Sequence, residues 1–204
     1  MRFTSHLDLH RTWERTFRRA GLPLAYSQGY NPHPRLNLAC ALPLGFTSQG
    51  EVLDAWLESQ VTIPEIQTSL DRAAVPGVHI LAIEEVAERA AVLQTEVEAA
   101  EYVITFMEPI LDLEERCQAL LEAKSLPRQR RGKGYDLRPL ILALQTVPSD
   151  PHGPQRLSVR LAARASATGR PEEVIDALGA LPETARVHRT GLIFHTEHSA
   201  LREA

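Results

Sequence analysis

The sequence predicts an α+β fold built from two ferredoxin-like halves in tandem, residues 1–87 and 101–204, with a connector at 88–100. Three observations predict it. A chain of 204 residues suits two small domains of about 100 residues each. Hydrophobic positions switch repeatedly between a helical period of about 3.6 and a strand period of about 2. The resulting order is β-α-β-β-α-β in the second half and α-β-β-α-β in the first, which lacks only a leading strand and has Arg2 to Thr4 as its stub.

The first helix opens at Ser5, a capping residue, with Asp8 placed to reach back and to favour the helix dipole. Leu9, Trp13, Phe17 and Ala20 recur at helical spacing, and Gly21 with Pro23 ends the run. His6, His10 and Glu14 share one remaining face, and Arg11, Arg15 and Arg18 another. Leu24 to Tyr26 reads as a short strand, and Ser27 to Pro34 as a loop stiffened by its glycine and prolines. Alternation at Leu36, Leu38, Cys40 and Leu42 predicts a strand, as does Val52 to Leu57. Ile63 to Ala74 is a helix with Pro64 in its first turn, and Val78 to Val86 a closing strand. In the second half, Tyr102 to Phe106 is a strand and Leu113 to Ala123 a helix. Leu137 to Thr146 and Arg156 to Ala165 form a hairpin around a turn from Pro148 to Pro154. Pro171 to Leu178 is a helix opened by proline, and Arg186 to Phe194 the last strand.

Composition excludes several classes. The apolar run Leu137 to Leu144 is broken by Arg138 and too short for a bilayer. Arg2, Ser5, His6 and Asp8 directly after Met1 argue against a secretory signal. Cys40 and Cys117 fit neither a zinc site nor a redox pair, so two free thiols in a reducing cytoplasm are expected. The net charge of −4 hides a division: Met1 to Leu38 carries +4, Glu51 to Glu122 carries −13, and Lys124 to Leu140 carries +5. Two basic blocks flank an acidic stretch, so a local anion-binding face is compatible with an acidic chain.

A resemblance rests on long blocks of residues. Ser5-His6-Leu7-Asp8-Leu9, Glu14-Arg15, Arg18-Arg19-Ala20-Gly21-Leu22-Pro23 and Tyr26-Ser27 form its first part. Gly29-Tyr30-Asn31-Pro32-His33-Pro34 and Pro43-Leu44-Gly45 continue it. Arg128 to Arg131, Gly132-Lys133 and Asp136-Leu137-Arg138-Pro139-Leu140-Ile141 form a second part. Together they resemble the bacterial radical SAM-linked proteins of unknown function, across nearly the whole chain. The resemblance implies a domain that stands alone or fused behind a radical SAM enzyme, encoded near a ribonuclease of the RNase G/E type and ribosomal protein genes. Members of that family carry a further strand ahead of the Ser-His-Leu-Asp block, where this chain begins, which leaves the first sheet's edge open. The chain has no Cys-x-x-x-Cys-x-x-Cys triplet, so the radical SAM chemistry belongs to another polypeptide. A looser likeness, in the tandem halves and the Arg-Ala-Gly-Leu-Pro helix end, is to the CRISPR repeat-processing endoribonucleases of the RAMP superfamily.

Candidate site residues follow from charge and chemistry. Arg128, Arg130, Arg131 and Lys133 combine cations with Gly132 and Gly134, and Tyr135 can stack on an unpaired base. Arg11, Arg15 and Arg18, with Arg35 and Arg138, add cationic surface to the same RNA-binding role. A solvated loop with no ligand is the competing explanation. His6, His10 and Glu14 with His33 have helical metal-ligand spacing, yet His6 is better explained as a helix-start residue bonded to the Asn31 to Arg35 loop, and no metal or cofactor is expected. Metal-free RNA cleavage would draw on His6, Tyr30, His33 and Arg35. The expected function is a non-catalytic RNA-binding module that presents substrate to a radical SAM enzyme or joins ribosome-linked RNA processing in the cytoplasm. The alternatives are a metal-independent endoribonuclease of the RAMP type and a protein-docking subunit that uses the acidic stretch Glu84 to Glu122.

Overall fold

A computed structural model of the protein describes residues 2–87, 90–148 and 153–195. Part of the expected connector (88–89), of the Pro148 to Pro154 turn (149–152) and of the second half (196–204) lies outside the described residues. The fold is mixed α+β, with two compact units: Met1–Gly45, Gly50–Glu96 and His195–Ala204 make one, Phe46–Gln49 and Val97–Phe194 the other.

In the first unit, helix α1 (His6–Arg19) starts where Ser5 Oγ accepts from Asp8 N at 3.2 Å and donates to Asp8 Oδ2 at 2.7 Å. It stops at Gly21, φ 71°, a left-handed conformation that costs glycine nothing because it has no Cβ. There the Gly21 N–H donates to Arg18 O and the Leu22 N–H to Phe17 O, closing the helix end in a Schellman motif. Phe17 and Leu22 then join Leu24, Leu36 and Leu70 in a buried cluster, with Trp13, Leu53 and Ile66 packed against it. Strand β1 (Leu36–Leu38) pairs with a strand near residue 54; between them in sequence, β2 (Thr47–Ser48) belongs to the other unit. That partner, β3 (Leu53–Ala55), runs antiparallel with Leu36 opposite Ala55. Helix α2 (Ile63–Ala73) opens with a reciprocal cap: Thr62 N and Thr62 Oγ1 both donate to Glu65 Oε2, at 3.1 and 2.7 Å, which lowers the Glu65 pKa. Helix α3 (Leu93–Glu96) is a single turn.

Several expectations for this unit are corrected. Arg2 to Thr4 is no strand stub, although Gly45 N donates to Arg2 O at 2.9 Å and Arg2 Nε to Gly45 O at 2.8 Å. Leu24 to Tyr26 makes two isolated bridges, Leu24 to Leu57 and Tyr26 to Pro34, since prolines at 23, 32 and 34 remove ladder donors. The strand from Leu36 ends at Leu38 rather than Leu42. Val78 to Val86 forms no strand: Ile80 and Ile83, three residues apart, are the positions packed on the core, while Leu81 is 78% exposed. A period of three cannot keep one face of a pleated strand inward.

The second unit has more strands than the expected β-α-β-β-α-β order: a hairpin after its first helix and a short strand before its second are added to it. Strand β4 (Val97–Phe106) starts five residues before Tyr102, so the connector's last residues are already strand. Then come α4 (Leu113–Glu122), a hairpin of β5 (Pro127–Arg130) and β6 (Lys133–Asp136), and β7 (Ile141–Val147). β8 (Arg156–Arg164), the short β9 (Ala167–Thr168), α5 (Pro171–Ala177) and β10 (Ala185–Phe194) complete it. The main sheet runs β2-β10-β4-β8-β7, antiparallel except for the parallel β10–β2 pair, and β9 pairs with β8. Residues 138–140 form a 3₁₀ turn rather than the start of a strand, since Pro139 lacks a ladder donor. Ala100, Tyr102, Ile104 and Phe106 are buried on one face of β4, as are Leu157, Val159 and Leu161 of β8 and Leu113, Cys117 and Leu120 of α4. Glu101, Val103 and Thr105 point to the other face. Among the described residues no helix is long and apolar enough to cross a membrane.

Candidate nucleic-acid interface

The basic block Arg128 to Tyr135 is a two-residue β-hairpin. Arg131 and Gly132 occupy the turn at φ 48° and 77°, the doubly left-handed geometry whose twist matches the flanking strands. Glycine takes that conformation freely; arginine takes it at a cost of about 1–2 kcal/mol. Cross-strand partners share a face, so Arg130 opposite Lys133 and Arg128 opposite Tyr135 put three cations and an aromatic on one side. Arg130, Arg131 and Lys133 are exposed and make no ion pair among the described residues.

The base of the hairpin is fixed differently from its tip. Asp136 Oδ1 accepts from Leu126 N at 2.7 Å and from Arg138 N at 2.9 Å, joining the chain entering β5 to the chain leaving β6. These two backbone bonds hold the Asp136 carboxyl below its ordinary range. Arg128 reaches α5, with Nη2 3.4 Å from Asp176 Oδ2, and donates from Nη1 to Pro127 O. Tyr135 faces Glu173: burial first, then this carboxylate, pushes the phenol up to about 12, while Arg130 and Arg170 pull the other way. Neither the Tyr135 hydroxyl nor Glu173 Oε2 reaches hydrogen-bond geometry. Arg138 turns inward, donating from Nε and Nη2 to Leu121 O at 3.0 and 2.7 Å and from Nη1 to Ile141 O at 3.1 Å. It closes the carbonyl end of α4 and offers no free guanidinium face.

In the first unit, the arginine stripe lies on the exposed side of α1. Arg11 pairs with Asp8 at 3.6 Å and Arg18 with Glu14 at 2.8 Å, while Arg15 has no partner among the described residues. Arg35 stacks over Trp56, 4.8 Å from the ring centroid. The Ser27 to Pro34 loop is cinched by Ser27 N to His33 O at 2.8 Å and His33 N to Ser27 Oγ at 2.9 Å, leaving Tyr30 fully exposed. His10, not His6, makes the contact across to the following strand, with Nε2 3.2 Å from Leu36 O. No hydrogen bond or ion pair joins any two of His6, Tyr30, His33 and Arg35 among the described residues. Nor do any three His, Cys, Asp or Glu side chains gather there to hold a metal ion. Burial, then Glu114, pushes the Cys117 thiol up to about 11, which makes it a poor nucleophile.

Sequence reasoning missed Asp136, Glu173 and Asp176, which fix the hairpin. The last two stand some forty residues downstream, with no local signal tying them to it; Asp136 was visible only as the lone acid in a basic block. No curated protein sequence matches the chain. A family model does, over residues 1–171, and the chain therefore belongs to the bacterial family described as "Uncharacterized protein conserved in bacteria" (DUF2344).

Proposed function

We propose that the protein is a non-catalytic RNA-binding module that presents RNA to a radical SAM enzyme carried on another polypeptide. The observation that carries this reading is the β5–β6 tip: Arg130, Arg131 and Lys133 stand exposed around a two-residue turn, on a base pinned by Asp136 and Arg128. Mobile lysines on a disordered loop would lose entropy on binding; cations on a pinned hairpin lose less, so phosphate contact is favoured. The radical SAM partnership and a cytoplasmic setting are supported by the resemblance of the Ser5 to Leu9 and Asp136 to Ile141 blocks and by two cysteines that form no disulfide. We read the second unit as ferredoxin-like, on its element order and antiparallel sheet; the first, with only β1 and β3 paired among the described residues, supports the α+β class alone.

Fluorescence anisotropy with a labelled single-stranded RNA, titrated with salt, tests the reading. Changing Arg130, Arg131 and Lys133 together to Ala should flatten the salt slope by about 2, at roughly 0.7 per phosphate contact on a single strand. A folded triple variant with the native slope removes the hairpin from the site. RNA cleaved by the purified chain without added metal would replace this function with that of an endoribonuclease.

A further inference from the structure

The face of the main sheet opposite the buried side of β4 carries charge that no sequence block shows. Its strand registers bring together residues from distant segments. Arg156 of β8 and Arg186 of β10 flank Thr105 in one row across three strands. Two residues further along the strands, Ser158, Val103 and His188 lie side by side, and beyond them Arg160 opposes Glu101. Arg156 and Arg186 are exposed; Arg156 donates one bond, to Pro148 O at 3.0 Å, and Arg186 has no partner among the described residues. Arg160 is held by Glu101 at 2.7 Å yet keeps nearly half its side chain in water. His188 Nδ1 lies 2.8 Å from Thr47 Oγ1 of the neighbouring strand β2, a bond that restrains the imidazole.

From this face we infer a second anion-binding surface, one that holds the backbone of a single-stranded RNA segment laid across β8, β4 and β10. It rests on the RNA-binding function proposed above and assigns the surface along which the strand runs. The charge favours a polyanion: three arginines face one carboxylate, Glu101, on these rows. Adjacent strands are about 4.8 Å apart, so Arg156 and Arg186, two strands apart, stand about 10 Å from each other. Arg156 and Arg160, four residues apart on one strand, are separated by about 13 Å. Those separations suit phosphates along an extended strand, which a compact single anion could not bridge. No Phe, Tyr or Trp lies on the three rows, whose centre is Val103, and the one ring there, His188, is bonded to Thr47, so bases find no broad stacking platform. Binding here is therefore backbone-led, tolerant of base sequence and steeply salt-dependent. The surface is separate from the hairpin, which is tied to α5 through Arg128 and Asp176.

The test uses the full chain with labelled oligouridine and oligoadenosine of ten nucleotides at low salt, and R156E/R186E beside the Arg130, Arg131, Lys133 triple variant. R156E/R186E should weaken both oligonucleotides at least about tenfold and lower the salt slope by about 1.4, two contacts at 0.7 each. R156Q/R186Q, which removes charge without reversing it, should show the same slope change and serves if the reversal variant fails to fold. Native-like affinity for a folded R156Q/R186Q, while the hairpin variant is weakened, overturns the sheet-face assignment and leaves RNA binding standing. No RNA binding by the unaltered chain sinks both. Labelled polyglutamate bound as tightly as RNA, and released by the same two substitutions, would assign the face to an acidic polypeptide and overturn the proposal.

Discussion

Arg131 and Arg138 lie seven positions apart in one basic block and do opposite things. Arg138 turns its three donor groups onto Leu121 O and Ile141 O, so its cation serves the end of α4. Arg131 accepts a left-handed backbone, φ 48°, at a turn where Asn or Gly is the unstrained choice. Strain kept at an exposed cationic position points to a role for the side chain rather than for the turn. Arg131→Asn separates the two effects, because Asn tolerates this conformation without glycine's entropy cost. It should raise stability by about 0.5–1 kcal/mol, read from denaturant midpoints, while weakening single-stranded RNA binding. A variant that gains stability and keeps full RNA affinity would show that Arg131 contacts nothing.

At the scale of the element, the hairpin depends on a single carboxylate. Asp136 holds Leu126 N and Arg138 N only with full strength when ionised, and its folded pKa is lowered relative to the ordinary 3.8. A depressed carboxyl pKa contributes stability that is complete above the unfolded value and is lost as pH falls through the folded one. The hairpin should therefore be unaffected between neutral pH and about pH 5 and loosen below about pH 4. Protection factors of the Leu126 and Arg138 amides, which remove the intrinsic pH dependence of exchange, would report it, falling in acid in the native chain and already low at neutral pH in Asp136→Ala; factors unchanged through about pH 2 would contradict the clamp. The same element shows what local pattern reveals and what it hides. Arg131-Gly132 is not one of the Asn-Gly or Asp-Gly pairs that signal a two-residue hairpin, and its flanking runs are polar, so the local pattern shows only charge and glycine. Helices α1, α2 and α5 are legible because their end signals are local, Ser5, Gly21, Pro64 and Pro171 sitting where helix chemistry requires, and α4 is legible from its apolar spacing alone. The apolar residues of Val78 to Val86 suit both periods, and only a partner strand, of which the described residues show none, decides between them. The sheet-face arginines were invisible for the converse reason: Arg156 and Arg186 become neighbours only once β4 is laid between β8 and β10.

For the molecule as a whole, the proposed partnership makes a claim about where redox chemistry resides. The chain has two cysteines, Cys40 and Cys117, one short of the three that ligate a four-iron cluster in a radical SAM enzyme. Cys117 is moreover buried in α4 with its thiol pushed up to about 11, far from the thiolate a cluster ligand must be. A module that presents substrate therefore has to reach its enzyme either by fusion or by docking, and docking raises the local substrate concentration without new contacts to the RNA itself. The cations of β5–β6 and of the sheet face are the proposed RNA contacts, which leaves carboxylates for the proposed protein partner. The acidic stretch from Glu84 to Glu122 is distributed over several elements: Glu101 is paired with Arg160, Glu114 accepts from Thr146, and Glu122 from Gln118. Glu84 and Glu85 are exposed and unpaired among the described residues, and Glu88 follows them just outside those residues. The purified chain should be colourless, iron-free and inactive towards S-adenosylmethionine, and should co-purify with a radical SAM protein from its own cells. Reversing Glu84 and Glu85 to Lys should weaken that co-purification and leave anisotropy with single-stranded RNA unchanged. Stoichiometric iron in the isolated chain would place the cluster here after all, and a pull-down that contains RNA but no radical SAM protein would keep the RNA-binding function and remove the partner.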